Sequence, residues 1–107
     1  MKQRDIFRFP HPSPDDPHPG VVVSNDAICQ NPDWKMVNAL VCQTVRPAGR
    51  LWKGNEVYLD RQDGLDHQTL VKCDFIFQFS KSEARSYRGS VCSQRIEEIR
   101  QLLRRFF

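Results

Sequence analysis

The chain has 107 residues, of which 39% are hydrophobic and 27% are charged, and its formal net charge is +3. This composition excludes a disordered chain, and no apolar run approaches the roughly 18 residues that a membrane-spanning helix needs. A chain of this length can bury one core, so we expect a single domain over residues 1–107. The first residues carry charges instead of an export signal, which predicts a cytoplasmic protein that does not associate with membranes.

The positive charge is concentrated at the end of the sequence. Residues 81–107 contain seven Lys or Arg and three Glu, whereas residues 1–80 contain nine basic and ten acidic residues. An excess of this kind favours an anionic partner.

The spacing of the cysteines and histidines does not indicate a metal site. The four cysteines are 13, 31 and 19 positions apart, without the C-x-x-C spacing of structural zinc sites, and the three histidines show no ligand spacing. We expect neither metal nor cofactor, since the sequence also lacks a phosphate-binding glycine loop. Cys42 and Cys73 lie in apolar strand-like runs, where cysteine acts as a small buried hydrophobe.

The first 36 residues contain two predicted strands separated by a proline-rich segment. Residues 5–9 have short-period apolar spacing and end at Pro10, and residues 20–24 form a β-branched run typical of a buried strand. Five of the seven prolines fall within residues 10–19. Because proline fixes φ and lacks an N–H group, we predict a stiff connector there and not a strand or helix. Residues 25–36 are predicted to be a second loop.

The middle of the chain contains further strand patterns. Residues 36–45 predict a central strand, residues 55–60 a shorter one, and Asp63-Gly64 a turn. Residues 69–79 give the strongest strand pattern, but the apolar positions change face halfway along it. This change predicts a bulge, or a strand that passes between two surfaces of a curled sheet.

The C-terminal segment predicts an amphipathic helix from about Ser93, a plausible N-cap, to Phe106. Residues 90–92 could form a last short strand before it. The helical spacing is carried by five apolar residues: Ile96, Ile99, Leu102, Leu103 and Phe106. The predicted fold class is therefore mainly β (α+β), a small curled antiparallel barrel with one C-terminal amphipathic helix.

Polar residues within the apolar strands are the candidate site. Thr44 ends the central strand, and Lys72 and Asp74 are two positions apart, so in a regular strand they point to the same side. A lysine, a carboxylate and a nearby hydroxyl could hold a phosphodiester. The alternative is a Lys72–Asp74 salt bridge on the surface with Thr44 facing solvent.

Aromatic and basic residues suggest a second kind of site. Single-stranded nucleic acid binds to aromatic rings that lie beside cations. Trp34, Trp52 and Tyr58 could supply the rings, and three basic residues of the loop after Thr44 could supply the charge: Arg46, Arg50 and Lys53. Alternatively, Trp52 packs on the rim of the barrel.

The order of these pieces resembles the PemK/MazF family, the toxins of bacterial toxin–antitoxin pairs. The matching pieces run through nearly the whole chain: Asp5-Ile6-Phe7, His18-Pro19-Gly20-Val21-Val22-Val23-Ser24-Asn25, Leu40-Val41-Cys42-Gln43-Thr44, Val57-Tyr58-Leu59, Gly64-Leu65, Leu70-Val71-Lys72-Cys73-Asp74 and the C-terminal helix. The resemblance implies an SH3-like barrel, a homodimer, a cognate antitoxin and metal-independent cleavage of single-stranded RNA.

The resemblance also implies roles for single residues. Thr44 would donate a hydrogen bond to the phosphate, Asp74 would be the base, and Lys72 would stabilise charge or act as the acid. His18 occupies the place of the family's catalytic arginine. The RNA-binding residues would be Arg46, Arg50, Trp52 and Lys53.

The chain departs from the family pattern at several of these positions. His18 and Lys72 stand where relatives have arginine, Cys42 replaces a common proline, and the proline-rich segment replaces a longer loop. One hypothesis is that the chemistry is redistributed over His18, Lys72 and Asp74. The other is a binding module without strong cleavage, acting on a protein as gyrase-poisoning toxins of the same barrel do, or holding single-stranded nucleic acid.

Overall fold

A curled antiparallel sheet with a C-terminal helix forms the framework of the molecule, as the sequence predicts. The computed structural model describes residues 1–44 and 54–107, with Thr44 described by its backbone alone. The described strands are β1 (Asp5–Ser13), β2 (Asp16–Val22), β3 (Met36–Thr44), β4 (Glu56–Leu59), β5 (Thr69–Lys72), β6 (Phe77–Ser80) and β7 (Arg85–Ser90). The helices are α1 (Asp26–Gln30) and α2 (Ser93–Phe106), with single 3-10 turns at Arg61–Asp63 and Lys81–Glu83.

The strand order is β4-β5-β3-β2-β1-β7, and β6 pairs with β3 beside this path. Each of these pairings is antiparallel. The strands curl into a half-barrel, and α2 packs against it. Within the described ranges, no helix is long and apolar enough to cross a membrane.

The proline-rich segment is a β-hairpin, which corrects the prediction of a stiff connector. β1 and β2 pair as far as Ser13↔Asp16. β7 pairs with β1 only up to Arg8. β3 pairs with β2 only at residues 20–22, the last three of β2. Residues 10–19 therefore form a two-stranded ribbon whose outer edges meet no other described strand. Proline is tolerated there because its missing N–H group removes no bond to a neighbouring strand.

Residues 69–79 form two strands on β3 instead of one, joined by a bulged segment. Val71 lies opposite Cys42, whereas Phe77 lies opposite Ala39. An uninterrupted antiparallel ladder from Val71 would bring Asp74 opposite Ala39, so the extra residues leave the ladder between β5 and β6. The face change in the sequence marks this interruption, as the bulge hypothesis predicts.

Three further predictions need correction. Residues 25–36 contain α1, whose first turn is capped by the Asn25 side chain, which accepts a hydrogen bond from the Ile28 N–H. The last strand is β7, which ends where residues 90–92 were expected to begin one. The N-cap of α2 is Cys92 and not Ser93, because Cys92 is extended and its carbonyl accepts from the Ile96 N–H.

The sheet separates two apolar cores, and β3 contributes to both because its side chains alternate between the faces. Leu40 and Cys42 belong to the core between the sheet and α2, together with Ile96 and Ile99. On the other face, a second core contains seven residues: Phe9, Val22, Cys29, Val37, Ala39, Val41 and Phe79.

An ion cluster fixes the start of α2 to the turn after β4. Arg95 donates to Asp60 at 2.6 Å and to Asp63 at 2.5 Å. Asp63 is buried and also accepts from the Cys92 N–H at 2.9 Å. The cluster thereby satisfies a buried carboxylate with a cation and with backbone donors, which a buried charge requires.

The cluster makes stability depend on pH in a predictable direction. The hydrogen bond from Arg95 holds the pKa of the Asp60 carboxyl below its ordinary value. A lowered acid pKa stabilises the fold above the unfolded value, near 4, and this stabilisation is lost as the pH falls through the folded value. We expect Asp60→Asn to lower the thermal unfolding midpoint at neutral pH, with the deficit shrinking below about pH 4. A deficit that stays constant between pH 3 and pH 7 would contradict this assignment of the charge.

Candidate active site

The candidate active site is a cavity that opens where the hairpin separates from β3. β2 and β3 pair from Val22↔Ala39 to Gly20↔Val41, and beyond this point β3 pairs with β5. The ribbon of residues 10–19 therefore diverges from the sheet, leaving a cavity of about 330 Å³ between them. It is lined by His11, Pro12, His18, Val41, Cys42, Gln43, Lys72, Phe75 and Phe77.

His18 is held with one ring nitrogen bonded to the hairpin backbone. Its Nδ1 lies 2.8 Å from the carbonyl oxygen of His11 and 3.1 Å from that of Asp16. Because carbonyl oxygens only accept hydrogen bonds, Nδ1 carries the hydrogen and Nε2 carries the lone pair of the neutral ring. The backbone of the hairpin thus selects the tautomer in which Nε2 can accept a proton.

Lys72 brings a cation to the same cavity. It is the last residue of β5 and is partly buried. Among the described residues, no carboxylate lies within 4 Å of its ammonium group, although Glu56 is its partner across β4 and β5. An ammonium without a carboxylate partner is suited to an anionic ligand.

Asp74 is not among the residues that line this cavity. It follows β5 in the bulged segment, and its Oδ1 accepts from Nδ2 of Asn55 at 2.8 Å. Because the strand ends at Lys72, the regular alternation that would place the Lys72 and Asp74 side chains on one face does not apply. The described residues also contain no Lys72–Asp74 ion pair, so the surface salt bridge considered above is absent.

The structure gives partial information on the remaining predicted residues. The backbone of Thr44 ends β3 opposite Thr69, and its neighbour Gln43 lines the cavity. Four predicted RNA-binding residues lie outside the described residues: Arg46, Arg50, Trp52 and Lys53.

The two described aromatic residues of the stacking hypothesis lie far apart. Trp34 precedes the start of β3 and is exposed, whereas Tyr58 lies on β4, level with the end of β3, with the Arg95 guanidinium 5.4 Å from its ring centre. These positions cannot form one stacking surface.

Cys42 lines the cavity as an apolar side chain. Cys42 is fully buried, and this burial raises the pKa of its thiol far above the ordinary value. Burial likewise raises the pKa of the Cys73 thiol to about 12. Both thiols therefore stay protonated at neutral pH, which agrees with the prediction that they act as small hydrophobes.

Sequence reasoning missed the aromatic residues that line the cavity and a group of basic residues beside the cavity. Phe75, Phe77 and His11 were assigned to a strand and a connector. The change of apolar face within residues 69–79 was the sequence signal that could have identified Phe75 and Phe77 as residues of the cavity. A smaller cavity of about 130 Å³ shares His18 and is lined by the basic residues Arg8 and Arg88.

A larger cavity than the candidate site is a poor site for phosphate. It has a volume of about 490 Å³ and lies between β4 and α2. Its lining includes Glu56 and Glu98, and the one cation among its described lining residues, Arg95, already pairs with Asp60 and Asp63. Within residues 1–44 and 54–107, no group of three or more His, Cys, Asp or Glu side chains could hold a metal ion.

Comparisons with solved structures find the same fold. An endoribonuclease in complex with its cognate antitoxin, from a mycobacterial species, is 22% identical with a TM-score of 0.80, over 99% of this chain and 93% of that one. The Mycobacterium tuberculosis toxin MazF-mt6 is 17% identical with a TM-score of 0.77, over 97% and 96%. A chain of the MazE-MazF structure from Deinococcus radiodurans is 15% identical with a TM-score of 0.71, over 96% and 90%.

The family comparison covers nearly the whole sequence. No curated protein matches the sequence significantly. The family model described as "PemK-like, MazF-like toxin of type II toxin-antitoxin system" matches residues 2–107. The match confirms the resemblance seen in the sequence: the chain belongs to the PemK-like and MazF-like toxins of type II toxin–antitoxin systems.

Proposed function

We propose that this protein is an endoribonuclease toxin that cleaves single-stranded RNA without a metal ion. The observation that carries the proposal is the placement of His18 and Lys72 on one cavity, with Nδ1 of His18 bonded to the backbone. Family membership supports it, as does the likeness to two mycobacterial proteins described as endoribonucleases, at 22% and 23% identity. Cleavage by 2′-hydroxyl attack fits this site because it needs a base, an acid and donors to the phosphate.

In the proposed reaction, Nε2 of His18 takes the proton of the 2′-hydroxyl group. The 2′-oxygen then bonds to phosphorus, and the bond from phosphorus to the 5′-oxygen breaks. The departing 5′-oxygen receives a proton from the imidazolium or from the Lys72 ammonium, so that no proton is gained or lost overall. The products are a 2′,3′-cyclic phosphate and a 5′-hydroxyl end.

This assignment gives the role of base to His18, while the resemblance alone would give it to Asp74. Asp74 does not line the cavity, and one of its carboxylate oxygens is bonded to Asn55. Lys72 would donate to the non-bridging phosphate oxygens as negative charge increases on them. Thr44, at the end of β3, keeps its expected role as a further donor to the phosphate.

The proposal includes the partners that the family implies. The protein would act in the cytoplasm as a homodimer and would be neutralised by a cognate antitoxin. The mycobacterial endoribonuclease in complex with its cognate antitoxin, which has the same fold, supports the last of these.

Lys72 provides the first test. We expect Lys72→Met to reduce cleavage of a long single-stranded RNA in EDTA by roughly 10²- to 10³-fold, the usual effect of losing one donor to a transition-state oxyanion. Lys72→Arg should keep most of the activity, because arginine supplies the charge and the donors at the position where relatives carry it.

The matched control for Lys72 is Lys35→Met. Lys35 is an exposed lysine at the opposite end of β3, and its ammonium donates to the backbone carbonyl of Pro32. The Lys35→Met variant should cleave RNA at the wild-type rate. Equal activity of Lys72→Met and Lys35→Met would refute the role of Lys72. Growth arrest on expression with intact cellular RNA would instead favour a protein target.

A further inference from the structure

We propose that Phe75, Phe77 and His11 form a stacking surface for one base of the RNA, next to the phosphate that is cleaved. We refer to these three rings as the aromatic wall. The inference rests on the proposed function, because it assigns the base contact of the same site.

Phe75 is exposed in a way that neither core explains. Its exposed fraction is 60%, and it lies in the bulged segment between β5 and β6, outside both apolar cores. By contrast, Phe9 and Phe79 stack at 4.6 Å within the second core and are nearly fully buried. Phe75 is not isolated, since Ile76 beside it is also exposed, and a contiguous apolar patch beside a cavity is typical of a binding surface.

The three rings lie in a row, with the His11 ring tilted by 49° to the Phe77 ring. The ring centres of Phe75 and Phe77 are 6.1 Å apart with an angle of 23° between the planes, and His11 lies 4.3 Å from Phe77. Phe77 is partly buried against the second core, which holds it in place. Phe75 therefore presents its ring at the open end of a supported row.

The chemistry of the cavity fits a nucleotide. Its lining combines aromatic rings with the imidazole of His18 and the ammonium of Lys72. A nucleotide combines a flat base with an anionic phosphate, so it complements both kinds of side chain at once. The volume of about 330 Å³ is at the lower end for small-ligand sites and suits one base better than a folded protein segment.

Binding of an RNA that cannot be cleaved tests the wall apart from catalysis. We would measure the affinity of the full-length protein for a short, randomised, fully 2′-O-methylated single-stranded RNA by fluorescence anisotropy. Phe75→Ala should weaken binding by roughly 5- to 100-fold, the usual loss for one stacked base, whereas Phe75→Trp should bind like the wild type. On cleavable RNA, Phe75→Ala should raise KM more than it lowers kcat.

Tyr87→Ala is the matched control. Tyr87 is also 60% exposed, but it lies on β7 against Phe7 and away from the cavity. This variant should bind like the wild type. All variants should unfold at the wild-type midpoint, since an exposed ring contributes little to packing.

The possible results separate the two proposals. If the wild type cleaves RNA and Phe75→Ala binds RNA as tightly as the wild type, the wall is refuted and the endoribonuclease stands. If the wild type binds RNA but does not cleave it, the proposed function fails. The loss of RNA affinity in Phe75→Ala then still tests the aromatic wall. If the wild type does not bind the methylated RNA, the aromatic wall is not a site for RNA. The same conclusion follows if Phe75→Ala loses antitoxin binding and keeps RNA binding.

Discussion

Replacing His18 by alanine is expected to lower the rate of RNA cleavage by roughly 10²- to 10⁴-fold, the usual contribution of general acid–base catalysis. The reason is the geometry of the ring: Nδ1 is bonded to the backbone carbonyls of His11 and Asp16, which leaves Nε2 as the nitrogen that exchanges protons. No other described imidazole on the cavity has this backbone-fixed arrangement. Initial rates on single-stranded RNA in EDTA measure the effect.

Added imidazole should partly restore the cleavage rate of His18→Ala, because the free base can enter the space left by the side chain. His18→Gln cannot exchange a proton at this position, and it should stay inactive with or without imidazole. Both variants should bind 2′-O-methylated RNA. Cleavage by His18→Ala at the wild-type rate would show that His18 is not the base.

Replacing Gly89 by alanine should be the most damaging change to the fold. A Cβ atom at Gly89 would lie 2.1 Å from the carbonyl oxygen of Asp63 and 2.9 Å from the Cα of Gly64. Both atoms belong to the backbone, so rotation of a side chain cannot relieve these contacts. Because the contacts are with backbone and lie beside the Arg95 cluster, we expect a loss of about 4 kcal/mol or more in the free energy of unfolding.

Gly54→Ala is the control for this prediction. A Cβ atom at Gly54 meets no described residue within 4 Å, so this variant should change the free energy of unfolding by less than about 1 kcal/mol. Chemical denaturation of both variants makes the comparison. Equal stability of Gly89→Ala and Gly54→Ala would mean that β7 and the turn at Asp63-Gly64 do not approach as closely as described.

The amino-acid pattern was sufficient for the framework of the fold. The apolar run of β3 and the helical spacing from Ile96 to Phe106 are local signals, and burial of apolar side chains selects the same elements in the folded chain. The membership in the toxin family was accessible for a similar reason, since most of the matching pieces lie on strands of the framework.

The hairpin required the structure, as did the effect of the bulged segment on the position of Asp74. Proline disfavours strands in general, and only the absence of neighbours on the outer edges of residues 10–19 makes a hairpin acceptable. Likewise, the period of two places Lys72 and Asp74 on one face only if the strand continues. Because β5 ends at Lys72, the cavity is lined by His18 and Lys72 but not by Asp74.

The identity of the RNA ends after digestion tests the central claim most directly. The purified wild-type protein would cleave a single-stranded RNA in EDTA, with His18→Gln purified in parallel to exclude a contaminating nuclease. The account predicts 5′-hydroxyl ends and 2′,3′-cyclic phosphates, or the 3′-phosphates they hydrolyse to, from the wild type alone. Products with 5′-phosphate and 3′-hydroxyl ends, or RNA left intact by the wild type, would contradict it.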